Sequence, residues 1–234
     1  MRFIKKAWAA FTLLSFELIV ITLCFTVAFT GFLYIADYVF LEHKTDFDDA
    51  AFLHLENIVS DVNTNIMRFF SFLGNYKFLT AANMLLIGYF LFIRKHRWYS
   101  IKVPAIAISS TIIMLLLKYI FQRQRPLMPL LHPAAGLSFP SGHALCSVTF
   151  FGLLIYFVWK HTTNKFRRFS LTTVLSLTIF MIGLSRVYLR VHHASDVIAG
   201  FCLGYVWLVI SLKIMRRIEN YSIKKLEEKN MAVV

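Results

Sequence analysis

Charge is scarce in this chain of 234 residues, and negative charge scarcest. Asp and Glu number 12 against 25 Lys and Arg, and charged residues make up only 16% of the total. A soluble domain carries about 25% charged and about 45–50% apolar residues, so 58% hydrophobic residues and a mean hydropathy of +0.65 exclude that class. The formal charge of +13 does not mark a nucleic-acid binder, because the basic residues bracket long apolar runs and form no single stripe. Cysteine is equally thin. Cys24, Cys146 and Cys202 each lie inside an apolar run without CxxC or zinc-finger spacing, which excludes a disulfide framework and leaves them as small buried hydrophobes. There is no internal repeat, low-complexity tract or flexible linker. What remains is an integral membrane protein.

One domain, 1–234, is expected from the length. A helical span of the hydrocarbon core needs about 20 mostly apolar residues, and the runs between charged brackets place six spans near 8–33, 77–93, 100–120, 142–159, 169–187 and 196–215. The fold class is therefore all-α and polytopic. Arg2, Lys5 and Lys6 ahead of the first run resemble a signal peptide, but the run is longer than an h-region and lacks a clear cleavage site, so it reads as a retained anchor. Between the first two spans, Phe52, Leu55, Val59, Val62, Ile66, Phe69, Phe70 and Leu73 recur at helical spacing among acidic and amide residues. This predicts an amphipathic helix in the outer interface or, equally, a cap packed over the bundle. The Lys/Glu-rich segment 220–234 reads as a solvated, partly disordered tail.

Orientation follows from Lys and Arg. The N-terminus, the connections after the second and fourth spans, and the C-terminal end hold 17 of the 25, against Glu219, Glu227 and Glu228. That side is predicted to be cytoplasmic, with both termini. The other side carries as many acidic as basic residues and nets zero. Glu17 lies inside the first span, as a polar contact or a substrate-path residue.

Ionisable groups at span ends mark function, and here they gather on the predicted extracytoplasmic side. Lys118 and Arg125 are seven residues apart, two turns of a helix that Pro126 would stop. With Arg186 they supply three cations, enough to offset a phosphate dianion during transfer. Pro140-Ser141-Gly142-His143 opens the fourth span; its free N–H groups form an anion seat, glycine permits close approach, and His143 stands beside it. His192 and Asp196, four residues apart, bring a carboxylate under an imidazole, fixing one ring nitrogen and aiming the other as nucleophile. His192 would attack while neutral and His143 would protonate the departing oxygen. Spacing selects His192 over the adjacent His193, although either imidazole would reach the phosphorus if the loop turned.

Together the blocks Lys118-x6-Arg125-Pro126, Pro140-Ser141-Gly142-His143 and Ser185-Arg186-x5-His192-x3-Asp196 resemble the tripartite signature of the type 2 phosphatidic acid phosphatases (PAP2), the superfamily that also holds the vanadium haloperoxidases. Eleven specified positions match in order and spacing. Residues 1–117 match only in the architecture of the six-helix membrane branch, and size and layout resemble its bacterial phosphatidylglycerophosphatases and undecaprenyl-diphosphate phosphatases. The resemblance implies a phosphohistidine at His192, orientation by Asp196 and leaving-group protonation by His143. It implies phosphate binding by Lys118, Arg125, Ser141, Gly142 and Arg186, and neither metal nor cofactor.

Other readings attach to the same residues. Singly, Lys118, Arg125 and Arg186 would snorkel to headgroups, and that reading is kept for Arg123 and Arg190 outside the signature. A metal held by His143, His192 and Asp196 suits the ligand types but is opposed by three neighbouring cations. His132, in the 127–139 loop, is a surface residue within reach of a headgroup. Gly200-x3-Gly204 reads as helix packing inside the bundle. The expected activity is removal of a terminal phosphate from a lipid at the outer face of a bacterial cytoplasmic membrane. Phosphatidylglycerophosphate is the first choice of substrate and undecaprenyl diphosphate the second. A non-catalytic lipid-phosphate binder or transporter would need the cations but not the two histidines and the aspartate, and a haloperoxidase does not suit the lipid-embedded layout. No nucleic-acid partner is expected, and the sequence does not fix the oligomeric state.

Overall fold

A computed structural model of the protein describes residues 2–127, 129–131 and 136–231, with side chains from 18 to 228. The described regular elements are all helical: α1 (Arg2–Phe40), α2 (Asp46–Glu56), α3 (Asp61–Leu73), α4 (Tyr76–Gly88) continuing as a π-helical turn (Tyr89–Ile93), α5 (Arg97–Phe121), α6 (Gly142–His161), α7 (Lys165–Tyr188) and α8 (Ala194–Met231). Six helices, counting α4 with its π turn as one, are long and apolar enough to cross a membrane. These are the six expected, with two differences in extent. The first continues beyond 33 to Phe40, and the last continues through the expected tail to Met231, because the Lys/Glu sequence places Lys224 and Glu228 one turn apart and supports a helix. Glu17 and His132 lie outside the described side chains.

Caps mark where the elements begin. Ser60, Asn75 and Asn164 each accept a backbone N–H from the first turn of α3, α4 and α7. At the other end of α5, Gln122 adopts the left-handed conformation at φ +47°, stopping the helix one turn after Lys118. Arg125 therefore belongs to the segment that follows and not to a continued helical face.

Helix α6 is the centre of the bundle, packed by α5, α7 and α8 and also touched by α4. Its seam with α8 needs the two glycines of Gly200-x3-Gly204. A Cβ at Gly200 would lie 2.8 Å from the Ser141 carbonyl oxygen, and one at Gly204 2.8 Å from that of Leu145, so the motif packs within the bundle. Cys146 and Cys202 are half-buried free thiols, whereas Cys24 faces outward from α1.

The 46–73 segment is two helices, broken at 57–60, and not one. Their inner faces dock on the bundle. Phe52 and Leu55 join a cluster with Ala144, Val187, Ala194 and Val197, and Met67 packs with Tyr188 and Leu189. A polar lock accompanies this packing. Asp48 of α2, 1% exposed, accepts from the Ser195 N–H (2.8 Å) and hydroxyl (2.7 Å) and from Arg123 Nη2 (2.7 Å). The other guanidinium arm, Nη1, donates to Asp196 at 2.6 Å and to Ser195 Oγ at 2.7 Å. Arg123 is thus clamped between two buried carboxylates and does not snorkel to headgroups, while Arg190 pairs loosely with Glu56 at 3.4 Å.

Removing one partner of a buried ion pair costs about 3–5 kcal/mol, whereas an exposed pair contributes about 0–1 kcal/mol. Arg123→Ala, which strands two carboxylates, is expected to lower unfolding stability in detergent by the former amount, and Arg190→Ala by no more than the latter. Equal effects would contradict the lock.

Candidate active site

Four helix ends converge at one end of the bundle: the last turns of α5 and α7 and the first turns of α6 and α8. With the 122–127 and 136–141 segments and the 189–193 turn, they carry Lys118, Arg125, Ser141, Gly142, His143, Arg186, His192 and Asp196. Lys118, Arg125, Gly142, His143 and His192 line a single cavity of about 280 Å³. Ser141, Arg186 and Asp196 stand behind that wall, all buried.

The 189–193 turn places the imidazole. Arg190 takes φ +52°, and the N–H groups of Val191 and His192 both donate to the Arg186 carbonyl, wrapping the chain around the end of α7. His192 is thereby 1% exposed with Nε2 3.4 Å from Arg125 Nη1, while His193 turns away towards Phe52 and Asp48. His192 borders the cavity, and His193 is not among its lining residues.

The expected direct bond from Asp196 to His192 is replaced by a bridge. Nδ1 lies 3.6 Å from Asp196 Oδ2, and the hydroxyl of Ser138 sits between them, 3.3 Å from Nδ1 and in a short hydrogen bond to the carboxylate. An ionised carboxylate only accepts, so Ser138 donates to Asp196 and its oxygen accepts from an Nδ1–H. That fixes the tautomer and leaves Nε2 with a lone pair. Ser138 was not found from the sequence; a serine two residues ahead of Pro140 carries no signal of its own. The Asp196 carboxylate also accepts from the His193 N–H (2.9 Å) and from Arg123.

Burial keeps His192 neutral, pushing its pKa down from 6.5 to about 3; Arg125 and Arg186 act in the same direction, and Asp196 opposes them. The unfolded chain therefore binds the proton more readily. The stability contributed by neutral His192 is complete above about pH 6.5 and is lost as pH falls towards 3. Burial also lowers the pKa of Arg125 and of His193, with Arg123 adding to the effect on His193.

Several donors of the cluster hold the protein together. Lys118 Nζ donates to the Leu137 (2.6 Å) and Ser138 (3.3 Å) carbonyls, and Arg125 to those of Gly136 (3.0 Å) and Val191 (2.7 Å). The Ser141 N–H is taken by the Asp196 carbonyl at 3.0 Å, so the anion seat expected of the Ser-Gly pair falls to the N–H groups of Gly142 and the residues after it, where the first turn of α6 has no helical acceptors. Gly142 also answers to packing, since a Cβ there would lie 2.4 Å from Met114 Sδ. Arg186 donates through Nη1 to Ser71 of α3 in a short bond. Arg186 Nε and Ser141 Oγ are buried with no partner among the described residues, the condition of donors built for a further acceptor. Helix α3 reaches the second histidine as well: Gly74, at its end, packs where a Cβ would lie 3.1 Å from His143 Cδ2.

The PAP2 superfamily model matches residues 99–219, which contain the whole constellation. Phosphatidylglycerophosphatase B of Bacillus subtilis strain 168 is 30% identical over 157 residues, 66% of this chain and 74% of that protein. Among solved structures, the first transmembrane PAP2 type phosphatidylglycerolphosphate phosphatase from Bacillus subtilis has a similar fold. Its TM-score is 0.75 at 24% identity, covering 83% of this chain and 96% of that one. Aquifex aeolicus LpxE is similar with a TM-score of 0.55 at 28% identity, covering 69% and 92%. The chain belongs to the PAP2 superfamily, and is a multi-pass membrane phosphatase of the lipid-phosphate type.

Proposed function

We propose that this protein hydrolyses phosphatidylglycerophosphate to phosphatidylglycerol through a phosphohistidine at His192. The observation that carries the reading is the convergence of a neutral, tautomer-fixed His192, a second histidine and the cations Lys118 and Arg125 on one cavity. The substrate preference is supported by the similarity to phosphatidylglycerophosphatase B.

In this mechanism the terminal phosphate sits between Lys118, Arg125 and the first N–H groups of α6, with Arg186, Ser141 and Gly142 completing its surroundings. The Nε2 lone pair of His192 attacks phosphorus as the P–O bond to the lipid breaks, and His143, carrying a second ring proton once the anionic phosphate is seated beside it, gives that proton to the leaving oxygen and becomes neutral. The bridge from Nδ1–H through Ser138 to Asp196 stabilises the positive charge that develops on the ring. His143 then takes a proton from water, whose oxygen displaces Nε2 and releases inorganic phosphate. The two histidines, the cations and one water account for every proton and charge in this sequence, which calls for neither metal nor cofactor.

The site faces the extracytoplasmic side in this reading, because 17 of the 25 Lys and Arg fall at the opposite ends of the spans. Helices α2 and α3 lie in the outer interface, presenting the exposed Leu53, Val62, Ile66 and Phe69 to lipid. A lipid then reacts without leaving the bilayer, its phosphate at the bundle end and its chains below.

Purified protein in mixed micelles is expected to release phosphate from phosphatidylglycerophosphate with EDTA present. Radiolabelled phosphate should be trapped on the wild type and on His193→Ala, but not on His192→Ala; turnover surviving in His192→Ala, or loss in EDTA, would overturn the mechanism. Ser138→Ala removes a hydrogen bond to a charged group, worth about 1.5–3 kcal/mol, so kcat should fall about 10–100-fold with KM little changed. An unchanged kcat would show that the bridge has no part in the reaction.

A further inference from the structure

The cavity does not end at the phosphate seat. It continues between α4, α5 and α6 as far as Val103, Ile106 and Leu153, and its lining changes character with depth. Lys118 and Arg125, the only Lys or Arg among the described lining residues, lie at the upper end with His143 and His192. Below them, Asn83 on α4, Thr111 on α5 and Thr149 on α6 also line it. Asn83 is seven residues from the start of α4, Thr111 seven before Lys118 and Thr149 six after His143, which places all three about 9–11 Å beneath the active-site end. Three helices thus contribute neutral polar side chains at one level, two turns down. Ser110 lies one residue deeper than Thr111 at the same belt, and beyond it the lining, Ala107, Ile106, Val103 and Leu153, is apolar.

Each of these side chains donates to its own helix: Asn83 Nδ2 to Leu79 O (2.7 Å), Thr111 Oγ1 to Ala107 O (2.9 Å) and Thr149 Oγ1 to Cys146 O (3.1 Å). Their oxygens remain available to accept, and the threonine hydroxyls are able to rotate and donate. Thr111, with Thr80 of α4, is exposed on the outside of the bundle, so the slot opens sideways between α4 and α5.

Resting on the phosphatase reading above, we infer that this belt measures the length of the lipid headgroup, with Asn83 and Thr111 as specificity-determining residues that contact the polar stretch between the terminal phosphate and the hydrocarbon. Phosphatidylglycerophosphate carries a hydroxyl-bearing glycerol, a phosphodiester and two ester carbonyls in that stretch. A prenyl diphosphate turns to hydrocarbon directly after its second phosphate, so the same belt would face a chain that offers its free oxygens no hydrogen bond in place of the water it displaces, which is unfavourable. The belt therefore selects a glycerolipid with an extended head and selects against a prenyl chain.

The test is the ratio of kcat/KM on phosphatidylglycerophosphate to that on undecaprenyl diphosphate, in mixed micelles. Because both substrates are measured on one preparation, the ratio is independent of the folded fraction. In Asn83→Leu/Thr111→Val the ratio should fall roughly fivefold or more, the factor that one neutral hydrogen bond provides, through loss on the glycerolipid. Asn83→Gln/Thr111→Ser should restore most of it. Hydrolysis of both lipids with an unmoved ratio overturns the belt alone, whereas a wild type that releases phosphate from neither overturns the phosphatase reading and the belt with it.

Discussion

A carboxylate taken fully out of solvent must be paired and hydrogen-bonded or it will not stay charged, and the active end of this bundle is organised around one. Asp196, 0% exposed, meets that condition with Arg123, the Ser138 hydroxyl and the His193 N–H, while its backbone carbonyl takes the Ser141 N–H. One residue in the first turn of α8 therefore fixes the segment after α5, the segment before α6, the turn after α7 and the start of α6. The donors that satisfy the charge are also the groups that position the chemistry. Ser138 cannot hold Asp196 without also fixing the proton of His192, and the turn that supplies the His193 N–H is the one that aims His192 at the cavity.

The same condition extends into the part of the chain outside the 99–219 family match. Arg123 is satisfied only with Asp48 of α2 at its second arm, Arg186 is held by Ser71 of α3, and the turn after α3 closes on His143 through Gly74. Helices α2 and α3 are thus a structural wall of the site. The charge balance on the side of the site also gains a physical meaning: two of its carboxylates, Asp48 and Asp196, are in direct contact with Arg123.

The spans and the signature residues were legible because both are local. Apolar runs of membrane length need no partner to be recognised, and each motif block occupies one helix end, so hydropathy alone brought Lys118, His143, Arg186 and Asp196 to the same side. What could not be read depends on pairings distant in the chain. Asp48 and Arg123 are 75 residues apart and Ser138 and Asp196 58 apart; a charge or hydroxyl near a span end looks the same whether it meets a headgroup or a buried partner. For that reason the sequence alone points Arg123 to lipid headgroups. The break between α2 and α3 was hidden by apolar spacing that continues through it, and the tail was read from composition when its i, i+4 pairs favoured continued helix.

The claim on which the chemistry rests is that His192 enters the reaction neutral, with its proton on Nδ1 and a lone pair on Nε2. Nitrogen-15 NMR of histidine-labelled protein, assigned by difference from His192→Ala, reads this directly. The His192 ring should show a protonated Nδ1 and a bare Nε2 throughout pH 5–8, well above a pKa of about 3. A proton on Nε2, or titration of the ring near pH 6.5, would contradict it.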